Sequence, residues 1–222
     1  MRIRHLIAAA GILAFAAGCN SSSEKSGEQK AAAPATNQEV YEAELTPLNS
    51  VVTGLQTTGE AKFVISGDTM TVTIDVKNAP PGIQHWQHFH GFANDSMAMP
   101  ATIKDDKNGD GIIDVTETGP VSGTTMVPFN NMPDHMNVGD TTYPVANADG
   151  SYHYETRIPM DSLKAAFAKA FGGSQLDLDK RVLYIHGVPS SAKLPKTVAS
   201  IANIPANITL PIAVGMIVKA KQ

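Results

Sequence analysis

The chain is short of cysteine: Cys19 is the only one in 222 residues. A lone thiol excludes an internal disulfide, so stability has to come from a packed core, helped by any metal the fold holds. A membrane-spanning helix is also missing near the start, because the apolar run Leu6 to Ala17 falls short of the ~20 residues a bilayer requires. There is no basic patch, and the formal net charge is −4. Nucleic acid is therefore not an expected partner. No internal repeat is visible, which sets aside solenoid architectures.

What the first residues do contain is a targeting pattern. Arg2 and Arg4 precede the apolar run, and Ala16-Ala17-Gly18 lead into Cys19, the order of a secretory signal peptide. Small residues directly before a cysteine resemble the lipobox of bacterial lipoproteins, although Ala16 stands where that motif prefers Leu. The resemblance implies cleavage before Cys19, lipid on its thiol, export across the inner membrane and anchoring in the cell envelope. The plainer alternatives are ordinary signal cleavage or a short uncleaved anchor. Losing Arg2 and Arg4 would take the net charge from −4 to −6. Residues 20–38 are rich in Ser, Lys, Glu, Gln, Ala and Pro without apolar periodicity, the composition of a disordered tether. Residues 39–222 suit one folded domain.

That domain reads as all-β. Val40 to Leu45 and Gly59 to Ile65 are strand-like, and Thr69 to Val76 alternates β-branched residues. Ser66-Gly67-Asp68 supplies the turn of a hairpin. Tyr152 to Ile158, Val182 to His186 and Ala213 to Val218 are further strands, with Asn147 to Gly150 as another turn. One short helix is expected, capped by Asp161 or Ser162, with Leu163, Phe167, Ala170 and Phe171 on one face and Gly172-Gly173 ending it. Many short strands with Gly and Pro turns indicate a sandwich or barrel.

Beyond the targeting segment, histidines occur at 85, 88, 90, 135, 153 and 186. On a strand, residues i and i+2 share a face, so His88 and His90 point the same way about 7 Å apart along the backbone. His186 closes an apolar strand and can supply a third nitrogen. Imidazole ligands suit copper, zinc, iron or nickel. The bland reading of the same residues is a polar strand face or hydrogen-bonded structural histidines.

The segment His85-Trp86-Gln87-His88-Phe89-His90 resembles the His-Gly-Phe-His-Val-His segment of copper/zinc superoxide dismutases. Arg181 to His186 resembles a later strand that ends in another copper histidine. Pro128-Phe129-Asn130, Val138-Gly139-Asp140, Asp149-Gly150 and Ala213 to Ile217 are similar to further family segments, in the right order over roughly residues 40–220. The resemblance implies an eight-stranded Greek-key β-barrel or sandwich. It implies copper on His88, His90 and His186, braced by His85, and a vestigial zinc site at His135 and Asp140, the second zinc histidine falling near Asn137. It also shows departures. The bridging histidine falls at Pro128, the disulfide positions near Ser122 and Val214, and the guiding arginine near Pro211. Lys193 and Lys196 are the nearby cations. A competing resemblance rests on Leu45 to Asn49, Gly59-Glu60-Ala61 and His88 to Gly91, which are similar to CHRD modules of secreted proteins.

Asp106 to Glu117 fits a twelve-residue calcium loop. Asp106, Asn108, Asp110, Asp114 and Glu117 provide oxygens at positions 1, 3, 5, 9 and 12, Gly111 allows the sharp turn at position 6, and Ile112 offers its carbonyl at position 7. A solvated acidic turn is the simpler reading. The loop lies between His90 and Pro128, as an insertion in the β-domain and not as a paired EF-hand. Met97, Met99, Met132 and Met136 carry soft thioethers that suit copper(I) or fill loop gaps. The expected function is a copper-binding, superoxide-dismutase-like envelope lipoprotein with weak dismutation at most. The alternatives are copper storage or delivery, or a structural CHRD-like module.

Overall fold

Residues 38–221 are described by a computed structural model. The expected signal peptide, Cys19 and the tether up to residue 37 lie outside them. Alternation builds most of the sheet. In β3 (Thr69–Lys77), Met70, Val72, Ile74 and Val76 are buried while their neighbours face out, as a strand with one covered face requires. β2 (Thr58–Ser66) precedes it through the Gly67-Asp68 turn, and β1 (Gln38–Pro47) lies on β2's other side. β4 (Gln87–Gly91), β5 (Thr124–Pro128), β6 (Tyr152–Pro159), β7 (Val182–His186), β8 (Pro211–Met216) and the two-residue β9 (Val218–Lys219) complete the set.

Every ladder is antiparallel, in the order β5-β4-β7-β8-β1-β2-β3-β6, with β9 also on β1. The sheet curls into a half-barrel. β1 links its two sides: Gln38 to Leu45 pair with β2, whereas Thr46 and Pro47 pair with β8. The core inside includes Phe63, Phe89, Phe129, Leu183 and Ile185.

Helices are few and short, but more numerous than the single one expected. α1 (Ser50–Thr53) and α4 (Ala206–Thr209) are single turns, α2 (Val115–Ser122) has two, and α3 (Met160–Ala170) is the expected helix. α2 forms because Asp114 and Glu117 make a reciprocal capping box at its start. α3 begins directly out of β6 at Pro159, so neither Asp161 nor Ser162 caps it; the Ser162 hydroxyl donates to Asp134 instead. Met160, Leu163 and Phe167 are its buried residues. Among the described residues no helix is long and apolar enough to cross a membrane.

The segment between β4 and β5 determines the character of the site. β4 and β7 are buried at every position. Phe89, Leu183 and Ile185 belong to the inner core, while Val182 and Tyr184 face the other way and pack with Ala98, Ala101 and Ile113 of the inserted segment. The insertion thus covers an outer sheet face that would otherwise meet water.

Candidate metal centre

β4 and β7 are neighbours, with His88 opposite Tyr184 and His90 opposite Val182. Since Phe89 and Ile185 enter the inner core, His88, His90 and His186 fall on the opposite face. Their ring centroids lie 4.5 Å (His88 to His186), 4.9 Å (His88 to His90) and 5.9 Å (His90 to His186) apart. One ligand nitrogen from each lies within 4.8 Å of the others, and all three residues are buried. Among the described residues, no other three histidine, cysteine or carboxylate side chains converge in this way.

The free nitrogens are Nδ1 of His88, Nδ1 of His90 and Nε2 of His186, each buried without a hydrogen-bond partner. An unsatisfied buried polar atom costs about 1–3 kcal/mol, and each of the three converging rings carries one, which a cation held by the group would relieve wherever that atom faces it. At His186 the tautomer follows from its other nitrogen. Nδ1 lies 2.7 Å from the Thr209 carbonyl oxygen, which only accepts. Nδ1 therefore carries the proton and Nε2 presents its lone pair. His90 Nε2 lies 3.3 Å from the Thr125 hydroxyl.

Burial, reinforced for His88 and His90 by the neighbouring rings, holds the triad neutral. His90 is pushed down to about 3 and His186 to about 4, and His88 lies well below the ordinary imidazole range. Neutral rings are the form that binds a metal.

His85 meets the His186 backbone carbonyl through Nδ1 at 3.0 Å and the Pro80 carbonyl through Nε2 at 2.9 Å. Its ring stacks on Tyr152 at 5.7 Å. It thereby ties the end of β7 to the start of the histidine segment. Gly187 follows at φ +116°, where a Cβ would lie 3.0 Å from the Gln84 carbonyl and 3.3 Å from His85 Nδ1. A side chain there would displace this brace.

Other expected residues sit elsewhere. Pro128 pairs with His88 and Pro211 with His186, so both prolines are beside the triad without a donor atom for it. His135 is exposed, and the Asp140 carboxylate accepts from the Thr142 amide and hydroxyl. The two do not join a ligand group, because Asp140 is already turned toward its own loop. Lys193 and Lys196 are exposed. Arg181 is fully buried, with its guanidinium donating to the carbonyls of Phe92, Gln175 and Leu176 and to Asp95. Met97, Met99 and Met132 are exposed at the surface.

The acidic loop folds around its own carboxylates. Asp106 accepts from the amides of Gly109 and Gly111, Asn108 from Asp110, and Asp110 from Ile112. Gly111 adopts φ +81°, the turn expected at the sixth position. Glu117 reaches back to the Lys107 and Asp114 amides. Asp114 is buried and divides its oxygens between the α2 amides and the Ala199 amide at 2.6 Å. The side chains are directed at amides and at the hydroxyls of Thr116 and Thr197, and among the described residues no three of these carboxylates converge on one point.

Sequence reasoning missed Tyr184, Thr209 and Asn49. Tyr184 was legible, since it lies two residues before His186 and must share its face. Thr209 acts through a backbone carbonyl, which leaves no trace in residue type. Asn49 bridges Ile113, through both amide and carbonyl, to the Pro211 carbonyl, a tertiary clamp without a local signature. No family model matches the sequence, and no curated protein matches it.

Proposed function

We propose that the domain is a copper-binding protein of superoxide-dismutase type, with weak dismutation at most, held in the cell envelope through lipid on Cys19. The observation that carries this reading is the set of three buried, unpartnered imidazole nitrogens on His88, His90 and His186. Three neutral imidazole nitrogens suit copper, and a three-histidine set with an open position suits zinc as well; the choice of copper rests on the resemblance of the histidine segments. Copper bound there would supply one-electron redox chemistry. The chain's own residues prepare the place: Thr209 fixes the His186 tautomer, His85 braces the strand end, and burial keeps the rings deprotonated and excludes water.

Two observations support the family reading. The strand order sets β1, β2, β3 and β6 on one side and β4, β5, β7 and β8 on the other, an arrangement that a Greek-key barrel uses. The residues aligned with the bridging histidine and the guiding arginine, Pro128 and Pro211, both pair with triad histidines. A zinc centre is not part of the proposal, since His135 and Asp140 lack further donors. Calcium in the Asp106 to Glu117 loop is part of it on the ligand spacing alone; the carboxylates, now turned to amides, would have to regroup around the ion.

Storage or delivery of copper is the second reading. It is favoured by the near-complete enclosure of the three rings, whose residues are only 2–4 % exposed. Metal analysis of the purified protein, with superoxide decay measured on the same sample, separates the possibilities. One equivalent of copper with slow decay supports the first reading, copper without decay the second, and no transition metal the CHRD-like structural module.

A further inference from the structure

Tyr184 stands against the triad. Its ring lies 4.6 Å from His90 and 5.8 Å from His186, centroid to centroid. Its hydroxyl points away from the histidines into the inserted segment. The Ala101 amide donates to that hydroxyl at 3.0 Å, and the Ser122 hydroxyl lies 2.7 Å from it. Ser122 has one proton, and it donates to the Met99 carbonyl at 2.7 Å. The Tyr184 proton therefore goes to Ser122 Oγ. The resulting chain runs from the Ala101 amide through Tyr184 and Ser122 to the Met99 carbonyl. Both ends belong to the insertion, Met99 and Ala101 in its first arm and Ser122 at the end of α2. Tyr184 is fully buried, so these bonds are its satisfaction and not incidental surface contacts.

We propose that Tyr184 is a positioning residue for the metal site, through which the inserted segment fixes the His90 ring. This rests on the copper reading of the triad. The phenol oxygen cannot serve as a ligand, because it faces the insertion and is engaged there as donor and acceptor. What reaches the site is the ring, tilted by 53° to His90 and 41° to His186 and held by a hydroxyl engaged as both donor and acceptor. Besides Tyr184, His90 meets the rings of His88 and His186, the Gly123 backbone and, at 3.3 Å, the Thr125 hydroxyl; of these neighbours Tyr184 is the one whose own side chain is hydrogen-bonded into the inserted segment. An insertion that merely shielded the sheet would need an apolar residue at position 184. A tyrosine with directed bonds sets ring orientation as well; outer partners that hydrogen-bond a metal ligand govern affinity by about 10–100-fold, and Tyr184, which acts by packing, should fall at or below the lower end of that range.

The test uses Tyr184→Phe, which keeps the ring and removes the hydroxyl, and Ser122→Ala, which keeps tyrosine and removes its acceptor. Leu48→Ala is the control, because Leu48 packs in the same outer cluster and makes none of the chain's hydrogen bonds. Copper(II) is titrated into each protein. Affinity is read by competition with a chromogenic chelator, and ligand geometry by electron paramagnetic resonance. The expected result is weaker binding, by up to ~10-fold, and an altered copper hyperfine pattern in Tyr184→Phe, with a smaller change of the same kind in Ser122→Ala. Leu48→Ala should lower the melting temperature and leave the spectrum unchanged. Wild-type affinity and spectrum in both hydroxyl variants, whatever happens to their melting temperature, would reduce Tyr184 to packing and overturn the inference. A spectral change in Leu48→Ala equal to that in Tyr184→Phe would overturn it too, since general loosening would then suffice. Wild-type protein that binds no copper would instead bring down the copper reading itself. Should Tyr184→Phe fail to fold, Ser122→Ala decides alone.

Discussion

Each triad histidine carries a charge state imposed by its surroundings, and this has two consequences at the residue scale. In an unfolded chain these rings take up protons near the ordinary value of 6.5, whereas in the folded domain His186 does so near 4 and His90 near 3. Between those limits the unfolded state binds more protons than the native one, so native stability increases with pH. The contribution is complete above about 6.5 and is lost progressively as pH falls through the interval below it. Metal-free protein should therefore show a lower urea midpoint at about pH 5 than at about pH 7. His186→Gln should flatten that difference, and equal midpoints in the wild type would count against a neutral buried triad. The second consequence concerns ligation. His88→Ala and His186→Ala should each lose more affinity for copper than the roughly 10–100-fold typical of an outer partner. His153→Ala should bind as the wild type does, because His153 is exposed and paired with Asp75 on β3. Isothermal titration of the three variants checks this, and retention of tight binding by the His186 variant would relocate the site.

At the scale of elements, the inserted segment links the two proposed metals. Its acidic loop contacts the stretch beyond β7 through the Thr197 hydroxyl on Asp110 and the Ala199 amide on Asp114. A calcium ion bound only by the native loop raises stability by about 2.7 kcal/mol at a hundredfold excess over its Kd, equivalent to roughly 5–10 °C for a domain of this size. Scanning calorimetry of chelator-treated protein should show that rise on adding calcium, and Glu117→Ala should remove most of it. A wild-type transition indifferent to calcium would refute the assignment. The insertion also shows where the sequence was legible. β2, β3 and β6 have one buried face, and their alternation was readable residue by residue. The His88 and His90 pair followed from the same period. β5 went unread because Thr124 to Pro128 is five residues long and ends in proline, and its place beside β4 depends on tertiary pairing. α2 went unread because Asp114 and Glu117 were assigned wholly to metal ligation, although the same spacing is a capping box. The cover over the outer face of β4 and β7 was not legible at all, since buried strands read alike whether a helix, a sheet or a loop covers them.

For the molecule as a whole, charge and access determine what a bound copper can do. Electrostatic steering toward a cleft raises the encounter rate of a charged substrate by roughly 10–1000-fold and fades with salt. Superoxide is an anion and the chain is net acidic, so steering requires a local cation. Pro211, opposite His186, offers none, Arg181 is enclosed and occupied by carbonyls and Asp95, and Lys193 and Lys196 are exposed on the loop that follows β7. A proton must also reach the reduced product. Pro128, opposite His88, has no proton to give, and water is a less efficient donor than a positioned acid. Copper-loaded protein should therefore dismute superoxide at least ~10-fold more slowly than an enzyme with full steering, and the rate should change little between low and high ionic strength. Stopped-flow superoxide decay at the two ionic strengths, with copper quantified on the same sample, measures both quantities. Fast decay that slows steeply with salt would mean that a cation on this surface has taken over the guiding role. Lys193→Ala and Lys196→Ala would then identify it, because the responsible substitution would abolish the salt dependence together with the rate.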